Sequence, residues 1–146
     1  MLGKASASIT VLALVLPAAC ASDPVPPSTS DVLQLDACRP RSTDSFDLGD
    51  LSVDGDELRI HVATGGGCAS HTFSACWDRT ATKSDPPQTN VALFHDGHGD
   101  TCDALLTHDL RVDVSPIRAM YRPPVVLHVT GATAQIAGTT NSATLR

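Results

Sequence analysis

The densest group of side chains that could bind a metal ion lies in one short segment, residues 95–103. It carries two histidines and three aspartates: His95, Asp96, His98, Asp100 and Asp103. Imidazole nitrogens suit zinc, and carboxylate oxygens suit calcium. A helix-flanked calcium loop starting at Asp96 is excluded, because Thr101 stands where glycine is needed and Thr107 where a bidentate glutamate is needed. Two interpretations stay open: calcium bound by the three aspartates in another geometry, and a glycine-rich turn whose aspartates bond local amides.

A zinc site is the second candidate, because the spacings Cys68-x2-His71 and His95-x6-Cys102 offer two sulfurs and two imidazoles. Five cysteines in a chain of 146 residues indicate an oxidising compartment, however, where two loop cysteines more often form a disulfide than a thiolate site. A Cys68–Cys102 disulfide would still bring His71 beside the loop. The predicted metal ligands, for zinc or calcium, are then His71, His95, Asp96, His98 and Asp100.

The sequence offers little else that performs chemistry. It contains no His-Glu-x-x-His pair, no Gly-x-Ser-x-Gly elbow and no glycine-rich phosphate loop with its lysine. Ten Lys and Arg stand against sixteen Asp and Glu, for a formal net charge of -6, and no basic run occurs. This balance lacks the positive patch that nucleic-acid binding needs. We therefore predict no catalytic residue and no nucleic-acid partner.

The first 19 residues have the three parts of a secretory signal peptide. Lys4 supplies a positive charge, residues 9–16 form a largely apolar run, and small residues precede Cys20. This run is much shorter than the ~20 apolar residues of a membrane-spanning helix, which favours cleavage over retention as an anchor.

The end of this signal resembles the lipobox of bacterial lipoproteins, which are cut before a cysteine that receives acyl chains. Ala18, Ala19 and Cys20 match the box, whereas Pro17 stands where that family usually has Leu. In similar lipoproteins of two-membrane bacteria, a residue other than Asp after the acylated cysteine directs sorting to the outer membrane, and Ala21 meets this condition. The alternative is an ordinary signal-peptidase cut at the same small residues.

The segment after the signal supports lipidation of Cys20. Residues 20–32 are rich in Pro and Ser and too poor in apolar residues to form a core, so they are predicted to be a disordered tether. Setting Cys20 aside leaves an even number of cysteines, suited to two disulfides. Of the three pairings that four cysteines allow, we prefer Cys68 with Cys102 and Cys38 with Cys76.

Residues 33–146 are predicted to be a single all-β domain, a small antiparallel β-sandwich or partly open barrel with disulfides. Asp54-Gly55 between two alternating runs is a preferred hairpin turn. Further strands are predicted over residues 71–77, 90–95, 104–114, 125–130 and 132–136, the last two joined as a hairpin at Gly131. Ser115-Pro116 predicts at most two turns of helix, with Ser115 as the cap.

Four stretches of this domain together resemble a recurring domain of uncharacterised bacterial lipoproteins. They are residues 65–73, Pro86-Pro87, residues 95–104 and residues 110–116. The resemblance covers roughly residues 58–130. It implies a secreted domain without an established activity, and it groups Cys68, His71, His95 and Cys102.

Two functions follow from these observations. The first is a non-catalytic binding or structural lipoprotein of the cell envelope, anchored to the outer membrane through Cys20, with a protein or glycan partner. The second is a metal-binding protein or metal-dependent enzyme that uses the region of His71, His95 and His98. Fold alone cannot choose between them.

Overall fold

The computed structural model describes residues 32–146, so the predicted signal peptide, Cys20 and nearly all of the predicted tether lie outside the described residues. This part of the chain forms nine strands and one short helix. They are β1 (Leu35–Ala37), β2 (Asp47–Asp54), β3 (Glu57–Gly66), β4 (Thr72–Trp77), β5 (Gln88–Asp96), β6 (Ala104–Asp113), α1 (Ser115–Met120), β7 (Val125–Thr130), β8 (Ala134–Gln135) and β9 (Ser142–Leu145).

The strands form two sheets, in the orders β1-β4-β5-β7-β9 and β6-β3-β2-β8. They face each other across one hydrophobic core and do not close into a barrel. The predicted all-β sandwich is therefore confirmed. Both sheets are mixed, because β1 with β4, β5 with β7, and β2 with β8 pair in parallel while the other pairs are antiparallel.

Alternation along the strands builds the core from both sheets. In β3, Leu58, Ile60 and Val62 are fully buried or nearly so, and β5 contributes Val91 and Leu93 in the same way. Because side chains alternate between the two faces of a strand, the next inward positions of these strands are Thr64 and His95. These polar residues are buried as well. The inner faces thus turn from apolar to polar towards one end of the sandwich.

Besides the parallel pairs, where antiparallel sheets were expected, two features differ from the sequence-based expectations. The segment after β7 was expected to return as a hairpin partner of that strand, but β8 pairs with β2 of the other sheet, and β7 lies between β5 and β9. The helix begins as expected at Ser115-Pro116, yet its N-cap is Val114, and Ser115 donates its backbone N–H to Asp113 instead. The hairpin prediction failed because the partner of β8 is set by long-range strand pairing, which the local spacing of residues does not encode.

Two disulfides cross-link the sandwich, and their pairing is the one that we preferred on the basis of the sequence. Cys38 is joined to the fully buried Cys76 of β4, and Cys68 to Cys102 across the loops that follow β3 and precede β6. The second disulfide holds two glycine-rich loops together at the polar end of the core. Among residues 32–146, no helix is long and apolar enough to cross a membrane.

Candidate functional site

Three imidazoles converge at the polar end of the sandwich. His71 immediately precedes β4, His95 lies on β5, and His108 lies on β6 of the opposite sheet. The rings of His71 and His95 lie nearly parallel, with planes 17° apart and centroids 4.9 Å apart, and the centroids of His71 and His108 are 5.8 Å apart. Phe73 packs against the cluster, stacked on His95 at 4.8 Å. The two sheets and a loop therefore build one site between them.

Asp100 anchors the loop end of this site. Its Oδ2 accepts three consecutive backbone N–H groups, from Gly67, Cys68 and Ala69 at 2.8, 2.9 and 2.8 Å, and its Oδ1 accepts the N–H of Cys102 at 2.9 Å. Hydrogen bonds to the ionised form favour that form. The N–H groups of Cys102, Ala69 and Cys68, with a further bond from the His71 ring, hold the pKa of the Asp100 carboxyl well below its usual range. Asp100 is therefore a fixed negative charge.

His71 and His95 form a hydrogen-bonded chain through the site. His71 Nε2 lies 3.3 Å from Asp100 Oδ2, His71 Nδ1 lies 2.8 Å from His95 Nε2, and His95 Nδ1 lies 3.2 Å from the Ser45 carbonyl oxygen. The side chains of His71 and Asp100 are each only 2% exposed. The loop before β2 also holds the backbone of His95, whose N–H donates to the Thr43 hydroxyl at 2.9 Å. Both rings are thus fixed in position.

His108 joins this chain through Thr64 of β3. The Thr64 hydroxyl lies 3.4 Å from His71 Nδ1 and 3.3 Å from His108 Nε2, so it stands between the two rings. Burial lowers the pKa of His108, and electrostatic interaction with the neighbouring rings of His71 and His95 acts in the same direction. These effects favour the neutral form of His108, in which one ring nitrogen keeps a free lone pair.

A cavity of about 350 Å³ opens beside these two rings, and His71 and His95 form part of its wall. Three carboxylates, those of Asp44, Asp100 and Asp103, line it as well. The cavity is therefore acidic and would favour a positively charged occupant.

The structure brings together only part of the predicted ligand set. His71, His95 and Asp100 are joined as described, whereas Asp96 and His98 lie on the exposed side of the loop. Asp96 Oδ1 accepts the backbone N–H of His98, and His98 Nδ1 lies 2.8 Å from the Ser70 carbonyl oxygen. Among the hydrogen bonds of residues 32–146, none joins Asp96 or His98 to His71 or His95.

The two cysteines do not add ligands to this site. In residues 32–146, one set of three candidate ligand atoms lies within 4.8 Å of one another, and it consists of Cys68, Asp100 and Cys102. Since both sulfurs belong to one disulfide, neither is a thiolate that could bind a metal ion. The three residues are therefore a disulfide cross-link with the Asp100 carboxylate beside it.

Sequence reasoning missed two members of the cluster, Thr64 and His108. Both continue an alternation that the sequence displays: Thr64 follows Leu58, Ile60 and Val62 at a spacing of two, and His108 lies between Leu106 and Leu110. Extending that period would have placed both side chains on inner faces. What spacing could not show is that these two strands are neighbours, with Thr64 opposite Leu106.

Comparisons with known proteins find likeness in fold. No protein-family model matches the chain, and no curated protein matches its sequence. A DUF1344 protein of unknown function from Bacteroides vulgatus has a similar structure, with a TM-score of 0.53, 9% identity, and coverage of 78% of this chain and 56% of that one. A NigD-like immunity protein from Bacteroides caccae is similar at a TM-score of 0.52 and 15% identity, with coverage of 76% of this chain and 57% of that one.

The described sandwich thus spans little more than half the length of these two bacterial proteins. The structural likeness shows a shared fold, and at such low sequence identity it says nothing about activity. Function has to be argued from the site.

Proposed function

We propose that the chain is a secreted lipoprotein, held at the outer membrane by acyl chains on Cys20. Its β-sandwich acts as a non-catalytic module that binds another protein or a glycan of the cell envelope. Residues 20–32 would serve as the tether that separates the sandwich from the membrane surface. The partner would meet the loops at the polar end, because loops carried on a rigid sheet are where binding residues usually lie.

The two disulfides support secretion. Cys38 with Cys76, and Cys68 with Cys102, use every cysteine of the described residues. Disulfides persist in oxidising compartments and are rare in the bacterial cytoplasm. An even cysteine count in the sandwich also leaves Cys20 for another role, as acylation requires.

One observation carries the non-catalytic part of the proposal: the Asp100 carboxylate and the sulfurs of Cys68 and Cys102 are engaged in structural contacts. Asp100 accepts three backbone N–H groups and the His71 ring on Oδ2 and a fourth backbone N–H on Oδ1, so both of its oxygens are tied to the surrounding loops. Cys68 and Cys102 are oxidised to each other and supply no thiolate. A general base or nucleophile has to reach its substrate, and neither the buried, hydrogen-bonded Asp100 nor the disulfide-bonded sulfurs can do so.

Acylation of Cys20 is the first expected result. Expressed at full length in a bacterium with two membranes, the chain should yield an N-terminal peptide that begins at Cys20 and carries acyl chains, as read by mass spectrometry. The variant Cys20→Ala should lose the lipid and leave the outer-membrane fraction. An unmodified peptide beginning at Cys20 or Ala21 would overturn the anchor while sparing secretion.

Binding at the loop end is the second expected result. Leu105 is 77% exposed and lies opposite Gly65, beside the site, whereas Met120, 52% exposed, ends the helix at the far end of β6. A photo-crosslinking residue at Leu105 in living cells should give one defined protein adduct, and the same residue at Met120 should not. Equal adducts at both positions, or none at Leu105, would contradict a protein partner at this end.

A further inference from the structure

One of the contacts made by the His71 and His95 rings, the one between the two rings, has no N–H group to donate. Asp100 Oδ2 and the Ser45 carbonyl are acceptors only, so His71 Nε2 and His95 Nδ1 both donate. Two neutral imidazoles carry two N–H groups, and the outer contacts use both. His71 Nδ1 and His95 Nε2 therefore face each other 2.8 Å apart, each with a lone pair. Two facing lone pairs repel, and a cation bound between them removes the conflict.

We propose that His71 Nδ1 and His95 Nε2 bind a divalent transition-metal ion of the zinc class. Both rings have the surroundings of metal-binding histidines, which donate their other N–H to a carboxylate or to a backbone carbonyl. For His71 this partner is Asp100, and for His95 it is the Ser45 carbonyl. These partners fix the tautomer that directs each remaining lone pair at the ion.

His108 is not a third ligand in this arrangement, because among residues 32–146 the set of three candidate ligand atoms that lie within 4.8 Å of one another does not include it. Its Nε2 is separated from His71 Nδ1 by the Thr64 hydroxyl, 3.3 Å from one and 3.4 Å from the other. The ion would therefore be held by the two imidazole nitrogens of His71 and His95, with water completing its coordination. Tetrahedral zinc bound at its usual distances separates two nitrogens by about 3.3 Å, so His71 and His95 would move apart by about half an ångström.

Ligand chemistry selects the ion. Imidazole nitrogens suit zinc, copper and nickel, whereas calcium takes six to eight oxygens, which these two rings do not offer. The acidic cavity beside the rings provides an entry path, and the carboxylates of Asp44 and Asp103 on its wall would raise the local concentration of cations. This site extends beyond the proposed binding role and does not depend on it.

Competition with a chromophoric zinc chelator tests the site on the full-length mature chain, oxidised, free of a histidine tag and stripped of metal. One equivalent of Zn²⁺ should bind, and Ca²⁺ should not compete. His95→Asn should weaken zinc binding at least about 100-fold, and Asp100→Asn should weaken it about 10- to 100-fold. The exposed His98→Asn and His61→Asn are the matched controls and should bind as the parent chain does.

Nitrogen-15 spectra of the histidine rings give a readout that needs no variant. Zinc should move the resonances of His71 Nδ1 and His95 Nε2, while His71 Nε2 and His95 Nδ1 keep their protons. Absence of saturable binding, or equal weakening by His98→Asn and His95→Asn, overturns the site. If zinc changes nothing and the metal-free spectra show a proton between the two rings, the cation is that proton and the proposal is wrong.

Discussion

Replacing Cys68 and Cys102 together by Ala is expected to lower the free energy of unfolding by about 4 kcal/mol. The two residues are separated by 34 positions in the chain, and closing a loop of this size restricts the unfolded state by about that amount in the chain-entropy description. Urea unfolding measures the loss as a lower midpoint. Because the disulfide also holds residues 67–69 over Asp100, the backbone N–H groups of residues 68 and 69 should exchange with solvent faster.

The other disulfide supplies the matched control. Cys38 and Cys76 are separated by 38 positions, so replacing both by Ala should cost a similar free energy of unfolding. This disulfide ties the end of β1 to β4 and does not contact the Asp100 loop, so the N–H groups of residues 68 and 69 should stay protected. Equal loss of protection in the two double variants would show that the Cys68–Cys102 link has no local role at the site.

Local patterns in the sequence predicted most of the strands. The hairpin of β2 and β3 forms where Asp54-Gly55 predicted one, but the turn lies one residue later. Asp54 pairs with Glu57, so Gly55 and Asp56 are the two turn residues, and Gly55 takes a positive φ of 59° at the first of these positions. β7 spans residues 125–130, as predicted. These features depend on neighbours in the chain, and short-range patterning encodes them.

Strand order depends on contacts that the sequence does not display. Gly131 suggested a hairpin after β7, yet the chain crosses to the other sheet and β8 pairs in parallel with β2. Parallel strands are joined by long connections, so no short turn motif in the sequence predicts their pairing. The same limit applies to β5 and β7, which are neighbours although β6 and α1 lie between them in the chain.

The candidate site also has a part that local sequence patterns predicted and a part that only the strand order reveals. Composition identified the loop containing His95 and Asp100, and the disulfide prediction brought His71 beside it. His98 and Asp96 were grouped with them because they are close in sequence, but Asp96 is exposed at the end of β5 and His98 is exposed in the turn that follows, where its φ is 53°. His108 comes from the facing sheet, and only the strand order shows that it reaches the same cluster.

Gly66→Ala is expected to cost about 3 kcal/mol of folding free energy and to disrupt the site directly. Gly66 has φ of +149°, a conformation that residues with a side chain rarely adopt. A Cβ there would lie 2.4 Å from His71 Nε2 and 2.9 Å from Asp100 Oδ2, so the ring must leave its carboxylate partner. Thermal and urea unfolding measure the loss, and the ring nitrogen-15 spectrum of His71 reports the broken contact.

The neighbouring glycine separates this steric effect from a general cost of altering β3. A Cβ at Gly65 meets nothing within 4 Å, and the residue is exposed, so Gly65→Ala should change the free energy of unfolding by no more than about 0.5 kcal/mol. If the two variants lose equal stability, or if Gly66→Ala leaves the His71 spectrum unchanged, then close contact with His71 does not explain the glycine. The expected contrast, one neutral and one damaging methyl group at adjacent positions, would show that the lack of a side chain at residue 66 lets His71 reach both Asp100 and His95.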